Sequence, residues 1–199
     1  MTNPINNIKH TVIQSLFSKP YFTKEELQAI ADPYISKDNI SLDSFRQEVT
    51  DLLHPLGFEM RTVTSDYTDV DYYGICQEIE DSNASECLGL KAEQVQLYYR
   101  IIDAVINAMR ELTSSVSLGE ILDMAPAGMT QVAAQETIEK FCQLGYCEKR
   151  GDKVRIGPRG LLEFRPTFVQ MENKEGDESD EGLRTCSICL DFILAGIKC

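Results

Sequence analysis

Nothing in the 199 residues is apolar for long enough to cross a membrane. The longest uninterrupted run falls far short of the ~20 residues that a bilayer span needs. The opening Met1-Thr2-Asn3-Pro4-Ile5-Asn6-Asn7 lacks the basic and apolar blocks of a secretory signal. Basic residues are scarce, with 19 Lys and Arg against 32 Asp and Glu. From Thr62 to Leu90 there is no Lys or Arg, but there are seven acids. From Met171 to Gly182 six acids meet only Lys174, and these two stretches hold 12 of the 13 net negative charges. Such a chain is a poor autonomous phosphate binder, because nucleic-acid affinity rests on Lys and Arg displacing counterions. Histidine is rarer still: His10 and His54 stand isolated, and both are expected on the surface or in the core rather than as bases or ligands. No catalytic dyad and no phosphate-cradling glycine loop stands out.

What is present suits a folded chain. Hydrophobic residues make up 43%, enough for a core without disulfides. Seven cysteines without a signal segment fit a reducing compartment. Cys76, Cys87, Cys142 and Cys147 are scattered and expected as small core residues. The other three crowd into the last fourteen positions.

The first half reads helix, helix, helix, strand, strand. Ile5, Ile8, Val12 and Leu16 share one helical face, which Lys19-Pro20 ends. Thr23 with Glu26 forms a capping-box pair that opens a short helix through Ile30, with Asp32-Pro33 as its stop. A third helix starts near Ser41, carries Leu42, Phe45, Val49, Leu52 and Leu53, and ends at Gly57. Phe58, Met60 and Val63, then Tyr72, Tyr73, Ile75 and Ile79, read as a hairpin. The second half repeats the order. Ala92 to Leu112 is the longest helix, with Val95, Tyr98, Tyr99, Ile102, Val105, Ile106, Met109 and Leu112 on its stripe. Ser117–Met124 and Thr130–Leu144 are helices, and 146–148 with 154–156 make a hairpin around Gly151-Asp152. Gly157-Pro158-Arg159-Gly160 leads into a last helix from Leu161 to about Val169.

Three helices and a two-stranded ribbon, found twice, predict a mainly α fold with small β wings: tandem winged-helix domains over 1–88 and 89–170. An acidic linker follows at 171–184, then the start of a RING-like zinc module at 185–199. The third helix of a winged-helix domain is the one that enters a major groove. Here those helices carry Asp43, Glu48 and Asp51 against Arg46, and Glu136 and Glu139 against Lys140. The basic cluster Lys149, Arg150, Lys153, Arg155, Arg159 and Arg165 is diluted by Glu148, Asp152 and Glu163. Strong direct nucleic-acid binding is not expected, and protein contact is the better use of both domains. The first helix supports this: Ile13 and Phe17 lie off its core stripe, and Tyr21 and Phe22 follow at once. A surplus apolar and aromatic face marks these four as candidate partner-binding residues.

Cys186-Ser187-Ile188-Cys189 is a Cys-x-x-Cys knuckle, whose two thiolates can share one tetrahedral zinc ion. Redox motifs share the spacing, but they sit at a helix start after a strand. With Cys199, the knuckle has the opening spacing of a RING finger. These residues, together with Ile138–Tyr146 leading into Gly157-Pro158-Arg159-Gly160, resemble the non-SMC element 1 family. Its members are the RING-bearing subunits of the structural-maintenance-of-chromosomes 5/6 complex. The resemblance implies a nuclear, chromosome-associated DNA-repair subunit. Its winged helices would bind a MAGE-type non-SMC subunit, with a kleisin-type non-SMC subunit as a further partner. It also implies zinc held by Cys186, Cys189 and Cys199, and E3 ubiquitin ligase activity in the full-length protein. In that activity the position of Ile188 contacts the ubiquitin-conjugating enzyme, and the RING acts by orientation. A cross-braced RING needs eight zinc ligands and three are present here, so the chain is expected to stop within its RING and to be inactive alone. Two other readings are a winged-helix transcription regulator binding DNA directly and a scaffold without ligase activity.

Overall fold

The computed structural model describes residues 4–65, 68–78, 90–110 and 113–164, with side chains for all of these but 4–10, 37–38 and 109–110. The expected domain boundary at 88/89, the acidic linker and the cysteine knuckle lie outside the described residues, as do Ile79, Cys87 and Leu112. Two compact units divide the chain, residues 1–80 and 81–199.

Unit 1 runs α1 (Pro4–Ser18), β1 (Phe22–Thr23), α2 (Lys24–Asp38), α3 (Leu42–Leu53), β2 (Phe58–Ser65) and β3 (Val70–Gln77). Each helix start follows from side-chain chemistry. Thr23 Oγ1 accepts the Glu26 amide while the Glu26 carboxylate accepts the Thr23 amide, a closed capping box. Ser41 caps α3 in the same sense, with its Oγ accepting from the Ser44 amide. The core gathers Val12, Leu16, Phe22, Leu27, Ala31, Tyr34, Phe45, Val49, Leu53, Met60 and Tyr73.

Two expectations for this unit are corrected. The helix opened at Thr23 does not stop at Pro33; it continues through it to Asp38. An interior proline costs roughly 3 kcal/mol. Beyond it the helix buries Tyr34, whose hydroxyl donates to Glu48 of α3 at 2.6 Å, and packs Ile35 on the core. Burying side chains of that size contributes about 1.5–3 kcal/mol each, which offsets the proline. Asn39 then ends the helix in the left-handed conformation (φ 50°). The second correction is that the ribbon is a three-stranded antiparallel sheet, ordered β1-β3-β2, with Phe22 opposite Tyr73. A two-residue strand has no periodicity to read.

Unit 2 follows the same order: α4 (Ala92–Arg110), β4 (Val116–Ser117), α5 (Leu118–Asp123), α6 (Gln131–Gln143), β5 (Cys147–Arg150) and β6 (Lys153–Ile156). A helical segment at 158–164, α7, closes the described chain. Its sheet is ordered β4-β6-β5. Ser117 and Glu120 form a second closed capping box at the position Thr23 and Glu26 hold in unit 1. The stripe of α4 is corrected by one step. Leu97, Tyr98, Ile101, Ile102, Val105 and Ile106 are buried, whereas Tyr99 is 54% exposed and Val95 only half-buried.

Tyr98 sits at the centre of this unit. Its ring lies 5.0 Å from Phe141, 5.1 Å from Tyr146 and 5.6 Å from Phe164. Its buried hydroxyl has no hydrogen-bond partner among the described residues, and burial pushes its pKa well above the ordinary tyrosine value. Tyr98→Phe keeps the ring and removes the stranded hydroxyl. We expect it to raise unfolding free energy by about 1 kcal/mol in urea denaturation; a loss of similar size would show that the hydroxyl is bonded.

Candidate docking surface

Structural placement separates the four residues singled out on α1 and the loop after it. Ile13 is half-buried against the core, and with Tyr34, Phe45, Glu48, Val49 and Leu52 it lines a shallow depression. Phe17, one turn on, is 53% exposed and stands edge-on to Phe58 with ring centres 5.8 Å apart. Tyr21 is half-buried and edge-on to Tyr72 at 5.7 Å. Phe22 is a correction: it is 4% exposed and belongs to the core. It occupies β1, whose pairing with β3 turns its ring inward.

Sequence reasoning missed two residues. Leu52, expected on the core stripe of α3, is 49% exposed. Leu56, in the single turn of 3₁₀ helix at His54–Leu56, is 69% exposed. The turn exists because Pro55 has no amide to donate and Gly57 closes it in the left-handed conformation (φ 77°). Only the rotation of Leu52 by one residue from Leu53 could have signalled its exposure.

Acids surround this turn. Glu78 pairs with His54 Nδ1 and holds the imidazole pKa above its ordinary value, with Glu59 and Asp51 adding to the effect. A histidine pKa raised by folding contributes stability below the unfolded pKa, and that contribution is lost as pH rises through the folded value. Glu78→Gln should therefore move the His54 titration down toward the ordinary histidine value. Imidazole chemical shifts followed over pH 5–9 would check this, and an unmoved midpoint would refute the pairing in solution.

No family model matches the chain. A curated Drosophila melanogaster protein, non-structural maintenance of chromosomes element 1 homolog, is 23% identical over 117 residues, which is 56% of this chain and 45% of that protein. One chain of a solved Nse1-Nse3-Nse4 complex superposes with a TM-score of 0.76 over 98% of this chain and 84% of its own length, at 15% identity. The chain is thus similar in sequence to a non-SMC element 1 homolog and in fold to one chain of that complex. It spans less than half the length of the Drosophila relative that it matches, and its mixture of helices and small sheets is the fold of the solved relative.

The remaining candidates sort by pairing. In the basic cluster, Arg155 is buried and donates to Glu148 at 2.7 and 2.9 Å, and Arg159 donates to Glu163 at 2.7 Å while lying over the Tyr146 ring. Lys149, Arg150 and Lys153 are exposed, and Arg165 lies outside the described residues. Cys76 and Cys147 are buried and Cys142 is half-buried. Burial raises the thiol pKa of Cys142 and pushes that of Cys147 far up. Cys147 lies in the core of its unit, and Cys142 sits half-buried on α6. Among the described residues no group of three or more His, Cys, Asp or Glu could hold a metal. Cys186, Cys189, Cys199 and Ile188 lie outside the described residues.

Proposed function

We propose that this chain is a non-SMC element 1 subunit of a chromosome-maintenance and DNA-repair complex, working in the nucleus on chromosomes. Its two units are tandem winged helices that dock a MAGE-type subunit, with a kleisin-type subunit in the same assembly. The observation that carries this reading is the likeness, over nearly the whole chain, to one chain of an Nse1-Nse3-Nse4 complex. The outer face of α1 supports it, with Phe17 exposed beside the half-buried Ile13 and Tyr21. Direct DNA reading is disfavoured by the acids on α3 and α6, the helices that would enter a groove.

Phe17→Asp tests the docking role. A carboxylate placed in an apolar interface loses its water without gaining a partner. The variant should bind the co-expressed MAGE-type subunit at least about tenfold more weakly. Because Phe17 is already half in solvent, the melting temperature of the free chain should stay within about 3 °C. A collapsed melt would make Phe17 a core residue, and unchanged affinity would remove it from the interface.

The ligase part of the reading rests on Cys186, Ile188, Cys189 and Cys199. The two knuckle thiolates would hold zinc as the first ligands of a RING, and Ile188 would meet the conjugating enzyme. The zinc would fix that surface; the chain itself would contribute no nucleophile, only placement of the charged conjugating enzyme.

A further inference from the structure

Ten lysines are spread along the chain, and their neighbours differ. Lys91 alone has a large apolar residue directly before it, Leu90, together with a carboxylate two places after it, Glu93. Lys9 follows Ile8 but has Thr11 at the second place, and Lys24 precedes Glu26 by two but follows Thr23. In Leu90-Lys91-Ala92-Glu93 an amine is therefore framed by one apolar and one anionic group.

The local structure leaves that frame accessible. The helix α4 opens at Ala92, so Leu90 and Lys91 stand outside it. Lys91 is the cap residue: its carbonyl accepts the amides of Gln94 at 2.9 Å and Val95 at 3.1 Å, and its own amide donates to Gln94 Oε1 at 3.0 Å. Gln94 is held in turn, donating through Nε2 to the buried Thr137 hydroxyl of α6 at 3.2 Å. The first-turn amides of Ala92 and Glu93 have no partner inside the helix. These two residues can therefore follow Lys91 into an extended strand at the loss of the cap bonds alone. Lys91 and Glu93 are exposed and Leu90 is half-buried. Among the described residues, neither the Lys91 ammonium nor the Glu93 carboxylate has an ion pair or a side-chain hydrogen bond. Around Lys24 the matching carboxylate is occupied, because Glu26 pairs with Lys19 at 2.6 Å and accepts the Thr23 amide.

We propose that Lys91 is a site of covalent attachment of a small ubiquitin-like modifier. The conjugating enzyme of that modifier reads its acceptor directly, with an apolar surface for the residue before the lysine and basic groups for the carboxylate two places after it. Leu90 and Glu93 supply those two contacts. In an extended strand Glu93 lies on the same face as Lys91 and Leu90 on the other, so both can be read while the amine points at the enzyme. The Lys91 ammonium gives one proton to solvent, and the free amine attacks the thioester carbonyl that joins the modifier to the enzyme's cysteine. An amide C–N bond forms, the C–S bond breaks, and a proton of the amine ends on the departing thiol. The inference does not depend on the docking role proposed above, so its failure leaves that reading standing.

Conjugation of the full chain with purified modifier, its activating enzyme and its conjugating enzyme tests it, read on gels and by mass spectrometry of the branched peptide. One conjugate, branched at Lys91, is expected. Lys91→Arg keeps the charge and should remove it. Glu93→Gln keeps the lysine and the shape of its neighbour, and should slow conjugation about tenfold, the loss expected for a charge-assisted contact. Melting temperatures of both variants should match the unmodified chain, since both positions face water. Lys24→Arg should conjugate as the unmodified chain does. A branch at another lysine with Lys91 untouched overturns the proposal. So does an unchanged rate in Glu93→Gln, which would make Lys91 merely one accessible amine. Absence of any conjugate, in a mixture that modifies a model acceptor peptide, overturns it as well. Attachment of ubiquitin at Lys91 by its own conjugating enzyme, with none of the ubiquitin-like modifier, would overturn the class of modifier assigned here.

Discussion

Phe141→Ala is expected to cost unit 2 about 4 kcal/mol, the upper part of the range for removing a fully enclosed aromatic side chain. Phe141 has no exposed surface, and its ring packs 5.0 Å from Tyr98. The ring leaves a void bounded by other rings, and these cannot close on it without leaving their own rotamers. Urea denaturation followed through the amide signals of unit 2 should show its midpoint fall while unit 1 signals keep theirs. A loss below about 1 kcal/mol would mean that the aromatic cluster repacks, contrary to the tight seat seen here.

Gly157→Ala should have the next largest effect, about 3 kcal/mol. A Cβ at this position would lie 2.4 Å from the Gly145 carbonyl oxygen and 3.0 Å from the Cys147 carbonyl group. Both neighbours are backbone, so the clash is relieved only by moving the strand that Gly157 bonds through the Tyr146 carbonyl at 2.8 Å. Gly119→Ala is the control. Gly119 lies within α5 with nothing near its missing Cβ, so alanine there should stabilise by up to about 1 kcal/mol. Equal and small effects at the two glycines would refute the close approach at Gly157.

Local chemistry made much of the fold legible. Thr23 with Glu26, Ser41, Gly57, Thr130 and the Gly151-Asp152 turn all mark boundaries that fall where their side chains or dihedrals require. Tertiary packing hid the rest. Pro33 announces a stop that burial of Tyr34 overrides, and the stripe of α4 includes Leu97 and Ile101 rather than Tyr99. The candidate surface was half legible for the same reason. Phe17 falls off the helical stripe and is exposed, but the fate of Phe22 depends on a strand pairing fifty residues away, which no window of sequence contains. Leu56 sits in the single turn that Pro55 and Gly57 set, where no helical or strand period tells which way a side chain faces.

In both units the residue that caps the second helix is also the last residue of the short first strand: Thr23 pairs across from Tyr72, and Ser117 from Lys153. No linker separates strand from helix, so α5 cannot fray from its start without also releasing the sheet edge. Hydrogen exchange should therefore find the amides of Ser117, Leu118 and Glu120 opening together, at one free energy, as a single cooperative segment rather than as a loose helix end.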